Sequence, residues 1–92
     1  MGGTPVASGA TARIEVRVEL KAGVVDPEAE SVATALGRLG VPAVRRVATA
    51  RVYDLEFGGV DVAEAERLAG IAVDRLLANP VIHRVSIRRL PT

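Results

Sequence analysis

Arg13-Ile14-Glu15-Val16-Arg17-Val18-Glu19-Leu20-Lys21 alternates charged and apolar residues without a break. Successive side chains of a strand point to opposite faces, so a period of two predicts a strand with Ile14, Val16, Val18 and Leu20 buried and the charges in water. The outward charges alternate in sign, which lets neighbouring strands pair them, each exposed pair contributing little. A strand with one apolar face needs other strands beside it and a layer above it.

The downstream chain supplies both. Asp26-Pro27 predicts a helix start: Asp26 caps free amides, and Pro27 suits the first helical position, where its missing N–H costs nothing. Ala29, Val32, Ala33, Leu36 and Leu39 fall on one side of that helix, and Gly40 ends it in a left-handed conformation. Ala43 to Phe57 is extended. Val47, Tyr53, Leu55 and Phe57 share one parity with Arg51, while Asp54 and Glu56 take the other. The run is either one long strand bent near Ala48-Thr49-Ala50 or two strands meeting there in a hairpin. Without an Asn-Gly or Asp-Gly turn, the single bent strand is the better fit.

Asp61 and Glu64 have the spacing of a capping box and open a second helix, running to about Ala78. Its apolar face includes Ala65, Leu68, Ala69, Ala72, Val73, Leu76 and Leu77. Asn79-Pro80 stops it, because the residue before proline is steered out of helical geometry. Val81 to Arg89 is the last strand, with Val85 and Ile87 inward. The predicted fold is α+β: a small two-layer sandwich in the order β-α-β(β)-α-β, with a mostly antiparallel sheet and two helices on one face. Residues 12–90 form the domain and residues 1–11 a disordered tail. The outer sheet face, with Val44, Val52 and Ile82 among charges, is a candidate subunit interface.

Composition narrows the function. Ninety-two residues make one domain, and a chain this short buries only about 60–65% of its unfolded surface. There is no cysteine for a disulfide or a thiolate metal site, and one histidine cannot build a metal cluster. With one Phe, one Tyr and no Trp, the core relies on small branched residues, so burial against another subunit is the remaining source of stability. Twelve basic against eleven acidic residues give +1, not the footprint of a nucleic-acid binder. No run approaches the ~18 apolar residues of a membrane span. Absence of cysteine fits a reducing compartment such as the cytoplasm.

No catalytic residue is expected. Nucleophilic catalysis needs an activated side chain beside a base, yet His83 and Ser86 have opposite parity and project to opposite faces. Asp54 and Glu56 read as a solvated strand face, and His83 as a structural or surface residue. Gly58-Gly59 precedes a helix, but Asp61 at its mouth repels an anion. Tyr53 and Phe57 point inward, away from RNA bases. Arg84, Arg88 and Arg89 read as a solvated basic strand.

Leu20-Lys21, Val25-Asp26-Pro27, Ala35-Leu36 through Leu39-Gly40, and above all Leu76-Leu77-Ala78-Asn79-Pro80-Val81-Ile82, resemble the PurS family. The resemblance covers about residues 12–90. PurS is the small subunit of phosphoribosylformylglycinamidine (FGAM) synthase, with a fold related to the ferredoxin-like one. The resemblance implies a homodimer or higher oligomer that bridges the glutaminase PurQ and the ATP-dependent synthetase PurL in de novo purine synthesis. ATP, Mg and glutamine are then used by the complex, and this chain holds no cofactor. Family members typically follow Asp-Pro with Gln-Gly, where this chain has Glu28-Ala29. They carry Arg-x-Gly-Lys where it has Ala48-Thr49-Ala50-Arg51, and an acidic residue at the place of His83. The candidate interface residues are Asp26, Pro27, Arg51, Asn79, Pro80, Val81 and Ile82. The alternative is a free-standing dimeric domain of similar strand order that senses a small molecule.

Overall fold

The computed structural model describes residues 11–92. Its elements are β1 (Thr11–Leu20), α1 (Pro27–Arg38), β2 (Ala50–Gly58), α2 (Val62–Ala72) with a π-helical turn at Val73–Leu77, and β3 (His83–Leu90). The sheet has the order β2-β1-β3, and both outer strands run antiparallel to β1. The α+β class and the order β-α-β-α-β are as the residue pattern predicts.

Register follows the alternation of β1. Ile14 lies opposite Leu55, Val16 between Tyr53 and Ile87, and Val18 opposite Val85. These side chains form the inner face, on which α2 presents Ala65 and Ala69. Two fully buried alanines let the helix backbone approach the strands closely, and Ile14 and Val16 fill the layer between. The outer face is a lattice of charges. Arg84 meets Glu19 at 2.5 Å and Arg88 meets Glu15 at 3.0 Å, each directly across the β1–β3 ladder, while Arg13 reaches Asp54 on β2. Glu19 also accepts from Arg17, and hydrogen bonds from the two guanidiniums hold its carboxyl down at about 2.

Several expectations change. β2 is a single strand with no hairpin, but it starts at Ala50, and residues 44–49 stand outside the sheet because β1, their ladder partner, turns away after Leu20. Of the proposed outer-face trio, only Val52 sits in a strand. Val44 lies on the connection into β2, and Ile82 sits half-buried in the turn before β3. β1 starts at Thr11, so the tail expected over residues 1–11 lies, apart from Thr11, outside the described residues.

The helices differ most. α2 packs on β1 and β3, whereas α1 does not lie on the sheet beside it. Only Ala29 of α1 is buried, and Leu39 just past its end is 77% exposed. The molecule is accordingly long, 55 × 29 × 18 Å. Periodicity identified the apolar stripe of α1 correctly, but a stripe does not specify which sheet receives it.

Candidate subunit interface

The chain leaves β1 at Leu20, returns at Ala50 and starts β3 at His83, so three connections converge at one end of the sheet. All seven candidate residues lie on these connections or on the first residues of β2 that follow them. Asp26 Oδ1 accepts from the Ala29 amide at 2.9 Å and Oδ2 from the Thr49 hydroxyl at 2.8 Å. One carboxylate thereby caps α1 and ties it to the segment leading into β2. Its pKa is lowered, first by the Ala29 amide and then by Thr49. Pro27 takes the first helical position, as predicted.

Asn79-Pro80-Val81-Ile82 forms a turn closed from within. Asn79 Oδ1 accepts from the Val81 amide, and its backbone oxygen accepts from Ile82 and His83. Its own amide donates to His83 Nδ1 at 2.9 Å, so the ring proton sits on Nε2. Lys21 fastens the turn to the end of β1: its backbone amide donates to Ile82 and its ammonium to the Pro80 oxygen at 2.6 Å. His83 thus has a structural role that parity alone did not show.

Arg51 stands in the inner row opposite Val18, as its parity requires, and makes no ion pair among the described residues. It opens on a cleft of about 390 Å³ with Leu20, Glu28, Tyr53, Leu77 and His83. A larger groove of about 800 Å³ runs between α1, residues 45–49 and the outer edge of the sheet, with Arg17, Lys21, Arg45, Arg46 and Arg84 on its walls.

One residue at this end escaped the periodicity argument, and a candidate interface residue stands exposed beside it. Leu76, assigned to the core, is 82% exposed, and Val81 is 77% exposed. The π turn explains Leu76: closing the ring from Ala78 back to Val73 adds a residue to the last turn and swings Leu76 outward, while Leu77 stays against the core. The Asn-Pro stop marks where the helix ends; nothing in the local pattern signals the widened turn.

His83 and Ser86 face opposite sides of the sheet, and among the described residues no three metal-ligating side chains come together. No described helix is long and apolar enough to cross a membrane. The described domain has a small core and leaves cationic and apolar groups uncovered at one end, the surface character of a small assembly module. The PurS family model, described as phosphoribosylformylglycinamidine (FGAM) synthase, matches residues 13–90, and the chain belongs to that family. It is 42% identical over 73 residues to the PurS subunit of that synthase from Archaeoglobus fulgidus, covering 79% of this chain and 91% of the relative. Identity to the Mycobacterium leprae PurS subunit is 40% over 78 residues, 85% of this chain and 95% of the relative. The crystal structure of PurS from Methanocaldococcus jannaschii, a subunit of formylglycinamide ribonucleotide amidotransferase in the purine biosynthetic pathway, superimposes with a TM-score of 0.78. That match is at 30% identity and covers 88% of this chain and 98% of the other.

Proposed function

We propose that this chain is the non-catalytic bridging subunit of FGAM synthase in the cytoplasm, self-associating and joining a PurQ-type glutaminase to a PurL-type synthetase. In that complex, formylglycinamide ribonucleotide, ATP and glutamine become FGAM, ADP, phosphate and glutamate. The glutaminase releases ammonia and the large subunit activates the substrate amide with ATP and Mg²⁺. This chain holds the two in register and contributes no reacting group.

The observation that carries the reading is the convergence of Asp26, Pro27, Arg51 and the Asn79–Ile82 turn at one end of the sheet. Uncovered Arg51, Leu76 and Val81 give that end the mixed apolar and arginine character of an interface centre. Family membership disfavours a free-standing effector sensor.

The test is reconstitution. Added to synthetase and glutaminase subunits depleted of their small subunit, the chain is expected to restore glutamine-dependent FGAM formation and to co-elute with both. Arg51→Ala is expected to reduce that restoration at least tenfold at limiting concentration while leaving the circular dichroism spectrum unchanged. Full restoration by Arg51→Ala would remove Arg51 from the contact surface. No restoration by the natural chain would remove the bridging function itself.

A further inference from the structure

Asn79 follows the π turn, whose closing bond runs from the Ala78 amide to the Val73 oxygen. The Asn79 amide makes no backbone hydrogen bond among the described residues and donates instead to His83 Nδ1 at 2.9 Å. The His83 amide returns a bond of 2.8 Å to the Asn79 oxygen, so the two residues close a ring at the start of β3. Pro80 and Val81 are displayed by that ring, and Val81 is exposed.

An imidazole accepts at one nitrogen only while it is neutral, because the imidazolium carries a proton on both. Imidazole is also the side chain whose charge ordinarily changes between roughly pH 5 and 8. The surroundings of the ring do not hold its charged form over Asn79. The cleft that it lines receives Glu28 from α1, Arg51 and Tyr53 from β2 and Leu20 from β1, while the π turn contributes Leu77. Lys21, just past β1, places its ammonium on the Pro80 oxygen, and Arg84 projects to the other face of the sheet, onto Glu19. No described carboxylate forms an ion pair with the ring. An imidazolium therefore meets the donor N–H of Asn79 with no anion to keep it there, and the half-buried ring turns out to water.

We propose that His83 is a pH-sensitive latch on the turn into β3: the neutral ring closes the turn, and protonation releases Asn79. The bonds from the Val81 amide to Asn79 Oδ1, and from Lys21 to Ile82 and Pro80, survive protonation. The turn therefore loosens as pH falls while the sheet stays whole. One hydrogen bond is lost, which changes the ratio of closed to open turn about three- to tenfold. The consequence for assembly rests on the reading of Asn79–Ile82 as contact surface: acid weakens the joining of the two larger subunits by a similar factor.

NMR of the isotope-labelled chain tests the latch directly, because an N–H···N bond transmits a coupling between its two nitrogens. At about pH 8 that coupling is expected between the Asn79 amide and His83 Nδ1, with the ring proton on Nε2. On acidification the coupling is expected to vanish along the titration of the ring itself. Amide-exchange protection of Asn79, corrected for intrinsic exchange, is expected to fall at least about threefold with it. His83→Asn sets an uncharged acceptor close to the Nδ1 position and is expected to keep that protection throughout. A ring proton on Nδ1 at about pH 8, or Asn79 protection that ignores the ring titration, would overturn the latch. For assembly, affinity for the synthetase and glutaminase subunits is compared at about pH 8 and about pH 5.5. The natural chain is expected to lose at least about threefold more affinity than His83→Asn. Equal losses, with the latch seen by NMR, would overturn the consequence for assembly. No binding at either pH would count against the bridging function and leave the latch standing.

Discussion

Asp26 joins two segments that sequence places 23 residues apart, and Glu19 sits between two guanidiniums at the same end of the sheet. Asp26→Ala removes an N-cap and the tie to Thr49. The expected result is a lower urea midpoint, in the direction found when capping residues are replaced by alanine. Glu19 carries a pH dependence. Its carboxyl is held at about 2 against an ordinary 4.5, so the folded state binds this proton less readily than the unfolded state. The stabilisation is therefore complete above the ordinary value and fades as pH falls from about 4.5 towards 2. Glu19→Gln is expected to flatten that part of the stability profile, and carboxyl NMR is expected to place the Glu19 midpoint near 2. An ordinary Glu19 midpoint would mean that its two arginine contacts do not persist in solution. The alternation of Arg17, Glu19 and Lys21 revealed which face is wet. The Glu19–Arg84 partnership needed the β1–β3 register.

At the scale of elements, the end of α2 separates two leucines that adjacency in sequence makes look alike. The π turn turns Leu76 to solvent and leaves Leu77 packed against the buried residues of the inner face. Leu77→Ala is expected to cost about 2–3 kcal/mol, as for a large-to-small change at a packed site. Leu76→Ala should change stability by less than about 0.5 kcal/mol, as exposed substitutions do. Thermal or urea unfolding of the two variants checks the contrast, and equal losses would mean that the last turn is an ordinary α turn. Helix starts were legible because caps are local: Asp26 and Asp61 both accept from the amide three residues on. The capping box is only half formed, since Glu64 gives its carboxylate to Arg67 instead of reaching back. The strand boundary at Ala50 was not legible, because Ala43–Phe57 keeps its alternation past the point where β1 stops offering a ladder.

The whole molecule has a small core made of alanine, valine and isoleucine, and an arm whose apolar stripe is fully buried only at Ala29. A radius of gyration of 17.9 Å compares with about 12 Å for a compact chain of this length. Stability should therefore be linked to association. The thermal midpoint is expected to rise with protein concentration across a hundredfold range, because mass action adds association free energy to folding. A midpoint independent of concentration, in a range where light scattering shows dissociation, would mean that the single chain is stable on its own.

By itself the sequence determined the strand of Arg13 to Lys21, the two capped helices, the inner row of β2 and the Asn-Pro stop. Each follows from period, cap chemistry or proline sterics acting within a few residues. Its longer motifs also carried the family resemblance. Only the tertiary structure decided where α1 goes, which leucine of the pair is buried, and that His83 closes the Asn79 turn. These depend on groups far apart in sequence or on a one-residue change in helical winding, to which local periodicity is blind.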